Sequence, residues 1–294
     1  MAHIADGTLA AAVSEAGGLG IISAMNMGAD YLKEQIDIAR SATDKPFGVN
    51  VMLMSPHTDE VAQLLADEKI AVVTTGAGNP SKYMKIWNEA GIKVIPVVAS
   101  ASLAKLVERA GACAVIAEGG ESGGHVGDTT TMALVPQICD AVSIPVIAAG
   151  GIGDGRGMAA AFMLGAEGVQ LGTRFLVAKE CRVHANYKAK VLKATDISTI
   201  VTGKRLGHPV RSIKTPFSRA YAKAEYSDIS DADLEQMAVG ALRLAAVSGD
   251  EKNGCFLAGQ IAGLIDREQT SKEIVEEICS EAENILKGAD KWVK

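Results

Sequence analysis

Short β-branched runs recur along the first 175 residues, and they are apolar almost throughout rather than alternating with polar positions. They fall at 20–23 (GIIS), 47–53 (FGVNVML), 70–75 (IAVVTT), 93–99 (KVIPVVA), 112–117 (ACAVIA), 145–149 (PVIAA) and 168–172 (GVQLG). Runs of this kind suit strands covered on both faces, as in a parallel sheet. Amphipathic helical stretches lie between them. Residues 58–68 keep Val61, Leu64 and Leu65 on one face, and 102–110 do the same with Leu103, Leu106 and Val107. Ala16-Gly17, Ala90-Gly91, Ala110-Gly111 and Gly165-Ala166 mark helix ends.

Seven strand–helix units begin either an open doubly wound sheet or a closed (β/α)8 TIM barrel. The chain opens with MAHIADGTLAAAVSEAGG, a loop leading into a helix over 9–15 with no strand ahead of it. The expected architecture is therefore a TIM barrel lacking its first strand, which is expected to lie before Met1; a seven-stranded open sheet is the alternative. After Phe175 the pattern changes. Residues 180–228 are polar and basic, a helix is expected over 231–247 with Leu234, Met237, Ala241, Leu244 and Ala245 on one face, and 255–265 is a small-residue apolar block. A last helix over 271–286 carries the capping box Thr270/Glu273. This tail reads as a mostly helical cap.

Length and composition agree with that picture. A chain of 294 residues that is 48% hydrophobic can bury a large core in one α/β unit. A net charge of −6 without a basic block argues against nucleic acid. No apolar run reaches the ~18 residues of a membrane span. Five cysteines without a CxxC read as reduced cytoplasmic thiols.

The strongest chemical signal is 148–175, AAGGIGDGRGMAAAFMLGAEGVQLGTRF. In barrels, phosphates bind between the loops after the last two strands, on backbone N–H groups. Gly150 and Gly151 would let the backbone approach an anion, and Gly172 and Thr173 would face them; two ligand-free turns are the plain alternative. The glycines follow no G-x-G-x-x-G spacing, and neither a Walker motif, an HExxH nor a GxSxG elbow is present. His125 stands in EGGESGGHVGD (118–128), a glycine-rich loop at the mouth end of a strand. There it can donate to a developing oxyanion or hold a proton near neutral pH, although a lone loop histidine is more often solvated. Asn50 and Gln170 interrupt apolar strands and are either satisfied core amides or bind the edge of a flat heteroaromatic ring. Lys204, Arg205, Arg211, Lys214 and Arg219 form either a solvated face or a surface for an acidic partner.

MAHIADGTLAAAVSEAGGLGII, KPFGVNVML, VVTTGAGNPSKYM, VIAEGGESGGHVG, IPVIAAGGIGDG and GVQLGTRF together resemble the FMN-dependent enoyl-acyl carrier protein reductases of bacterial fatty-acid synthesis. Those enzymes share a flavin-barrel superfamily with the nitronate monooxygenases. The likeness runs on through GHPVRSIKTPFSRA and CFLAGQIAGLI. One departure is that relatives have a strand ending in Gln-Gly-Gly just before the position of Met1. The resemblance implies FMN held by Met1, Ala2, Asn50, Glu118, Gly123, Ala149, Gly150, Gly151, Gln170, Gly172 and Thr173, with His125 catalytic and no metal ligands. It implies NADH or NADPH as donor, a monovalent cation as effector, an enoyl-loaded acyl carrier protein as partner and a homodimer. The FMN barrel is expected over 1–200, with 201–294 a helical segment on its mouth. Nitronate oxidation and a non-catalytic FMN-binding barrel are the alternatives.

Overall fold

The apolar runs form strands because each is buried twice, against helices outside and against its neighbours' side chains inside. The computed structural model describes residues 1–24 and 27–292. Helix α1 (Gly7–Glu15) precedes strand β1 (Gly20–Ser23), and α2 (Ala29–Ala42), β2 (Phe47–Met52), α3 (Thr58–Asp67), β3 (Val72–Gly76), α4 (Ser81–Glu89) and β4 (Lys93–Val98) follow in strict alternation. The series continues with α5 (Ala101–Arg109), β5 (Val115–Glu118), the two-residue β6 (Gly124–His125), α6 (Thr131–Cys139), β7 (Val146–Ala149), α7 (Gly155–Met163) and β8 (Gly168–Gln170). The sheet order is β1-β2-β3-β4-β5-β7-β8, every pair parallel. It is a curled half-barrel: β1 and β8 are its two edges and do not pair with each other.

The expected TIM-barrel-like order is thus present without closure. Polar caps set several helix starts, as Asp6 accepts from Leu9 N, Ser100 from Leu103 N and Asp154 from Gly157 N. Residues facing the helices, among them Val49, Val51, Val73, Val115, Ala117 and Ala148, join the helix faces in one buried core. No helix among the described residues is long and apolar enough to cross a membrane.

The tail begins with a 3-10 turn (Thr173–Val177) and α8 (Ala185–Leu192), then β9 (Thr199–Thr202), β10 (Val210–Ile213) and α9 (Pro216–Glu225). The two strands lie in the stretch whose polar, basic composition concealed them. They join β6 in a three-stranded antiparallel sheet, β6-β10-β9, at the barrel mouth. The single helix expected over 231–247 is instead α10 (Asp231–Ala238), a break, α11 (Ala241–Arg243) and a π turn (Leu244–Ser248). Gly240 adopts φ +74°, a left-handed conformation that ends one helical axis and starts another. Of the face expected there, Leu234, Ala241 and Ala245 are buried, whereas Met237 is half-buried and Leu244 is exposed beyond the break.

Helix α12 (Ser271–Lys287), with the expected Thr270/Glu273 box, packs on α7 and α1, the helices beside the two sheet edges. A second core beneath it joins Ile4 and Leu9 to Phe175, Val177, Ile274 and Ile278. Contact is closest at Gly155, whose N–H donates to Glu281 Oε2 at 2.7 Å. A Cβ there would fall 2.5 Å from Ala282 N and 2.7 Å from Ile278 O. Gly155→Ala is expected to push α12 off the edge and cost about 1–3 kcal/mol, read as a lower urea midpoint at unchanged slope. An unaltered midpoint would mean that the α7–α12 approach contributes nothing.

Candidate functional site

Side chains alternate along each strand, so residue parity decides what faces the interior. Val72, Ile95, Ala114, Ile116 and Ala149 form a small apolar cluster inside the curl. Two residues beyond Val72 and Ile116, Thr74 and Glu118 therefore face inward at the C-terminal ends of their strands. Register extends this set sideways. Ser23 lies opposite Asn50 and Asn50 opposite Thr74, while Glu118 lies opposite Ala149 and Ala149 opposite Gln170. The interior is apolar below and polar at the mouth. Asn50 Oδ1 accepts from Thr74 Oγ1 at 2.9 Å, which leaves the Asn50 amide N–H groups as the donors of that side chain.

The two glycine loops rim this polar layer. Gly150 and Gly151 take φ +88° and +71°, and a Cβ on Gly150 would come within 2.7 Å of Gly119 O. On the next loop Thr173 Oγ1 accepts from Gly259 N at 2.8 Å, fastening the 3-10 turn to the tail. Within the described residues, the backbone N–H groups of Gly151, Gly172 and Thr173 donate to no protein acceptor. Such outward N–H groups on adjacent loops are what an anion takes up. Met1 Cγ would lie 3.8 Å from a Cβ on Gly172, and its carbonyl accepts from Ile4 N and Ala5 N, so Met1 and Ala2 sit at the β8 side of the mouth.

The glycines around His125 serve close packing. A Cβ on Gly119 would meet Thr131 Oγ1 at 2.1 Å, and one on Gly123 would meet the Ala258 carbonyl carbon at 2.6 Å. The loop is thus wedged between the start of α6 and the 258–259 backbone. Glu121, which sequence reasoning did not single out, anchors it: its carboxylate accepts from Thr131 N at 2.9 and 3.1 Å and from Thr131 Oγ1 at 2.9 Å. His125 pairs with Val210 across β6 and β10 and keeps an exposed face. Partial burial, and secondarily the nearby His208, lowers its pKa from the ordinary value. The ring is therefore mainly neutral at neutral pH and offers one N–H as a donor.

The basic residues of the tail divide. The Arg205 guanidinium donates to the carbonyls of Ser227 and Ile229 and pairs with Asp231, and Lys214 donates to Ile197 O. They fasten turns. No group of three or more His, Cys, Asp or Glu residues placed to hold a metal occurs among the described residues.

Burial raises the Glu118 carboxyl to about 7, against the opposing pull of the amino terminus. The native state therefore holds this proton more tightly than the unfolded chain does. That contribution is complete below the ordinary carboxyl pKa and is lost as pH rises towards about 7, a loss of at most about 3 kcal/mol. Glu118→Gln is expected to unfold at a higher temperature than the wild type near pH 8 but not near pH 5, in flavin-free protein. Parallel pH curves for the two proteins would place this carboxyl in water.

Comparison with known proteins bears on what such a mouth does. The sequence profile of the nitronate monooxygenase family matches residues 1–68 and 59–281. FabK from Thermotoga maritima is 53% identical, with a TM-score of 0.97 over 100% of this chain and 94% of that one. A nitroalkane oxidase from Streptomyces ansochromogenes is 30% identical, with a TM-score of 0.88 over 98% of this chain and 95% of that one. A Mycobacterium tuberculosis relative, (3aS,4S,5R,7aS)-5-hydroxy-7a-methyl-1-oxo-octahydro-1H-indene-4-carboxyl-CoA dehydrogenase, is 33% identical over 100% of this chain and 94% of its own length. With the family matched over nearly its whole length and the fold shared, the chain belongs to the nitronate monooxygenase family of FMN-dependent barrel oxidoreductases.

Proposed function

We propose that this protein reduces trans-2-enoyl thioesters of acyl carrier protein to acyl thioesters, with a reduced nicotinamide as donor and FMN at the barrel mouth. The observation that carries this reading is the 53% identity to FabK over the whole chain. The M. tuberculosis relative, whose name specifies a CoA substrate, supports a thioester as the substrate class. The residues present fit the cofactor. The unpaired N–H groups of Gly151, Gly172 and Thr173 suit its phosphate, and Asn50, Glu118 and Gln170 suit the polar edges of its ring. Gly123 and Ala149 line the approach, and Met1 and Ala2 close its β8 side.

When bound, FMN supplies hydride transfer from the nicotinamide to the β-carbon of the enoyl group. The protein's task is to accommodate the charge this creates. As hydride adds at the β-carbon, the C=C electrons move onto the thioester oxygen, and the α-carbon then needs a proton. A neutral His125 would donate its N–H to that oxygen, and the imidazole can relay a proton to the α-carbon by taking one from solvent at its other ring nitrogen.

A second reading has its own support in the family match and the S. ansochromogenes nitroalkane oxidase: oxidation of nitronates by oxygen with the same ring and histidine. Anaerobic mixing separates the two. Bleaching of the flavin band by NADH and its return on adding crotonyl-acyl carrier protein is the expected result. A flavin that NADH leaves oxidised, with oxygen-dependent turnover of a nitroalkane, would replace the first reading by the second.

His125→Ala is expected to retain flavin and slow reoxidation by the enoyl thioester ~10²–10⁴-fold; reoxidation at the wild-type rate would remove His125 from the chemistry. Gly151→Val is expected to lose flavin, since φ +71° excludes a β-branched side chain and the N–H would turn away. Full yellow colour after desalting would contradict the phosphate assignment.

A further inference from the structure

His125 is carried by very little backbone. Strand β6 has two residues, and among the described residues Gly124 opposite Arg211, His125 opposite Val210 and the bond from Val126 N to Pro209 O tie it to β10 and the turn before it. Of the residues before it, Gly119, Gly120 and Gly123 bring no side chains, and Glu121 holds the turn through Thr131 on one side and through Gln260 N, which donates to Glu121 O at 2.9 Å, on the other. Arg211 reaches back across this gap. Its Nε and Nη2 both donate to the Gly120 carbonyl, at 3.3 and 2.9 Å, and its Nη1 donates to Thr199 Oγ1 at 3.1 Å. Gly120 N is held from the other side by Thr129 O at 2.8 Å. The guanidinium is half-buried, with the Glu121 carboxylate as its attracting charge.

We propose that Arg211 is the positioning residue of the His125 loop: its side chain fixes Gly120, its backbone faces Gly124, and one residue thereby sets both ends of the turn that presents the imidazole. This inference rests on the role given to His125 above. A lysine cannot replace the fork, because one ammonium does not present parallel N–H groups to one carbonyl while reaching Thr199. Arg211 donates to Gly120 O and Thr199 Oγ1 and to no side chain of the mouth's polar layer, while Glu121, its attracting charge, lies beside Gly151, so an effect passing through His125 requires that Arg211→Lys keep its flavin.

The test uses flavin-loaded wild type, Arg211→Lys, His125→Ala and the double variant, followed in the two half-reactions under anaerobic conditions. Arg211→Lys is expected to leave reduction by NADH unchanged and to slow reoxidation by crotonyl-acyl carrier protein by about 10- to 100-fold. In the His125→Ala background the same substitution is expected to cost nothing further. Equal slowing in both backgrounds, or none in either, overturns the inference. Wild-type reoxidation by His125→Ala alone would instead remove the role given to His125, a result distinguishable from the first. A measurement without turnover is the imidazole NMR titration of His125 in flavin-free protein. Released into water and away from His208, the ring in Arg211→Lys should titrate closer to its ordinary value; an unmoved titration counts against the proposal. Should Arg211→Lys not fold, Thr199→Val removes one acceptor of the fork and should slow the same half-reaction less; wild-type reoxidation there overturns the inference.

Discussion

Parity along the parallel strands governs the rest of this structure. Val49, Val51, Val73, Val115, Ala117 and Ala148 fill the layer between sheet and helices. Their alternation forces Asn50, Thr74, Glu118, Ala149 and Gln170 to the inside. A slip of one residue in β5 would bury a carboxylate among aliphatic side chains and bring Ala117 into the mouth. The polar ring is therefore held by residues that never touch it. Apolar packing outside the sheet specifies the chemistry inside it.

The second constraint is the unclosed edge. A free strand edge leaves unpaired backbone groups, and proteins cover such edges. Here Ser23 N donates to Ala5 O at 2.8 Å, so the turn before α1 satisfies part of the β1 edge. Helix α12 lies between α1 and α7, over a core that joins Ile4 and Leu9 to Phe175, Ile274 and Ile278. Covering by a helix preserves an interior of barrel-like curvature without an unbroken ring of hydrogen bonds.

Much of this was legible in the sequence. The doubly buried strands announced themselves as unbroken apolar runs, and Asn50 and Gln170 stood out as amides within them. The glycine pairs at 150–151 and the Gly172-Thr173 step pointed to the loops that rim the mouth. What was hidden depends on distant partners. A two-residue strand such as β6 has no period to detect. β9 (TIVT) and β10 (VRSI) are four residues each, too short to show a period, and lie in an otherwise polar stretch that reads as loop. The break at Gly240 escaped because periodicity reports which face is buried, not whether the axis continues. The value of Gly123 lies in the backbone of Ala258 and Gly259, which no local pattern reveals. Arg211 looked like one of several surface cations until its carbonyl partner was seen.

The pairing of β6 with β10 also has a consequence in time. Arg211 and Gly120 are 91 residues apart in sequence, whereas the strands of the half-barrel join neighbours separated by a single helix. Contacts that close long loops form late. During synthesis the seven strands and their polar interior can assemble while β10 is still unmade, and domains fold as their residues emerge. The imidazole reaches its place only when the tail arrives. The nascent chain can thus form the polar interior of its half-barrel before β10 ties down the loop that carries His125.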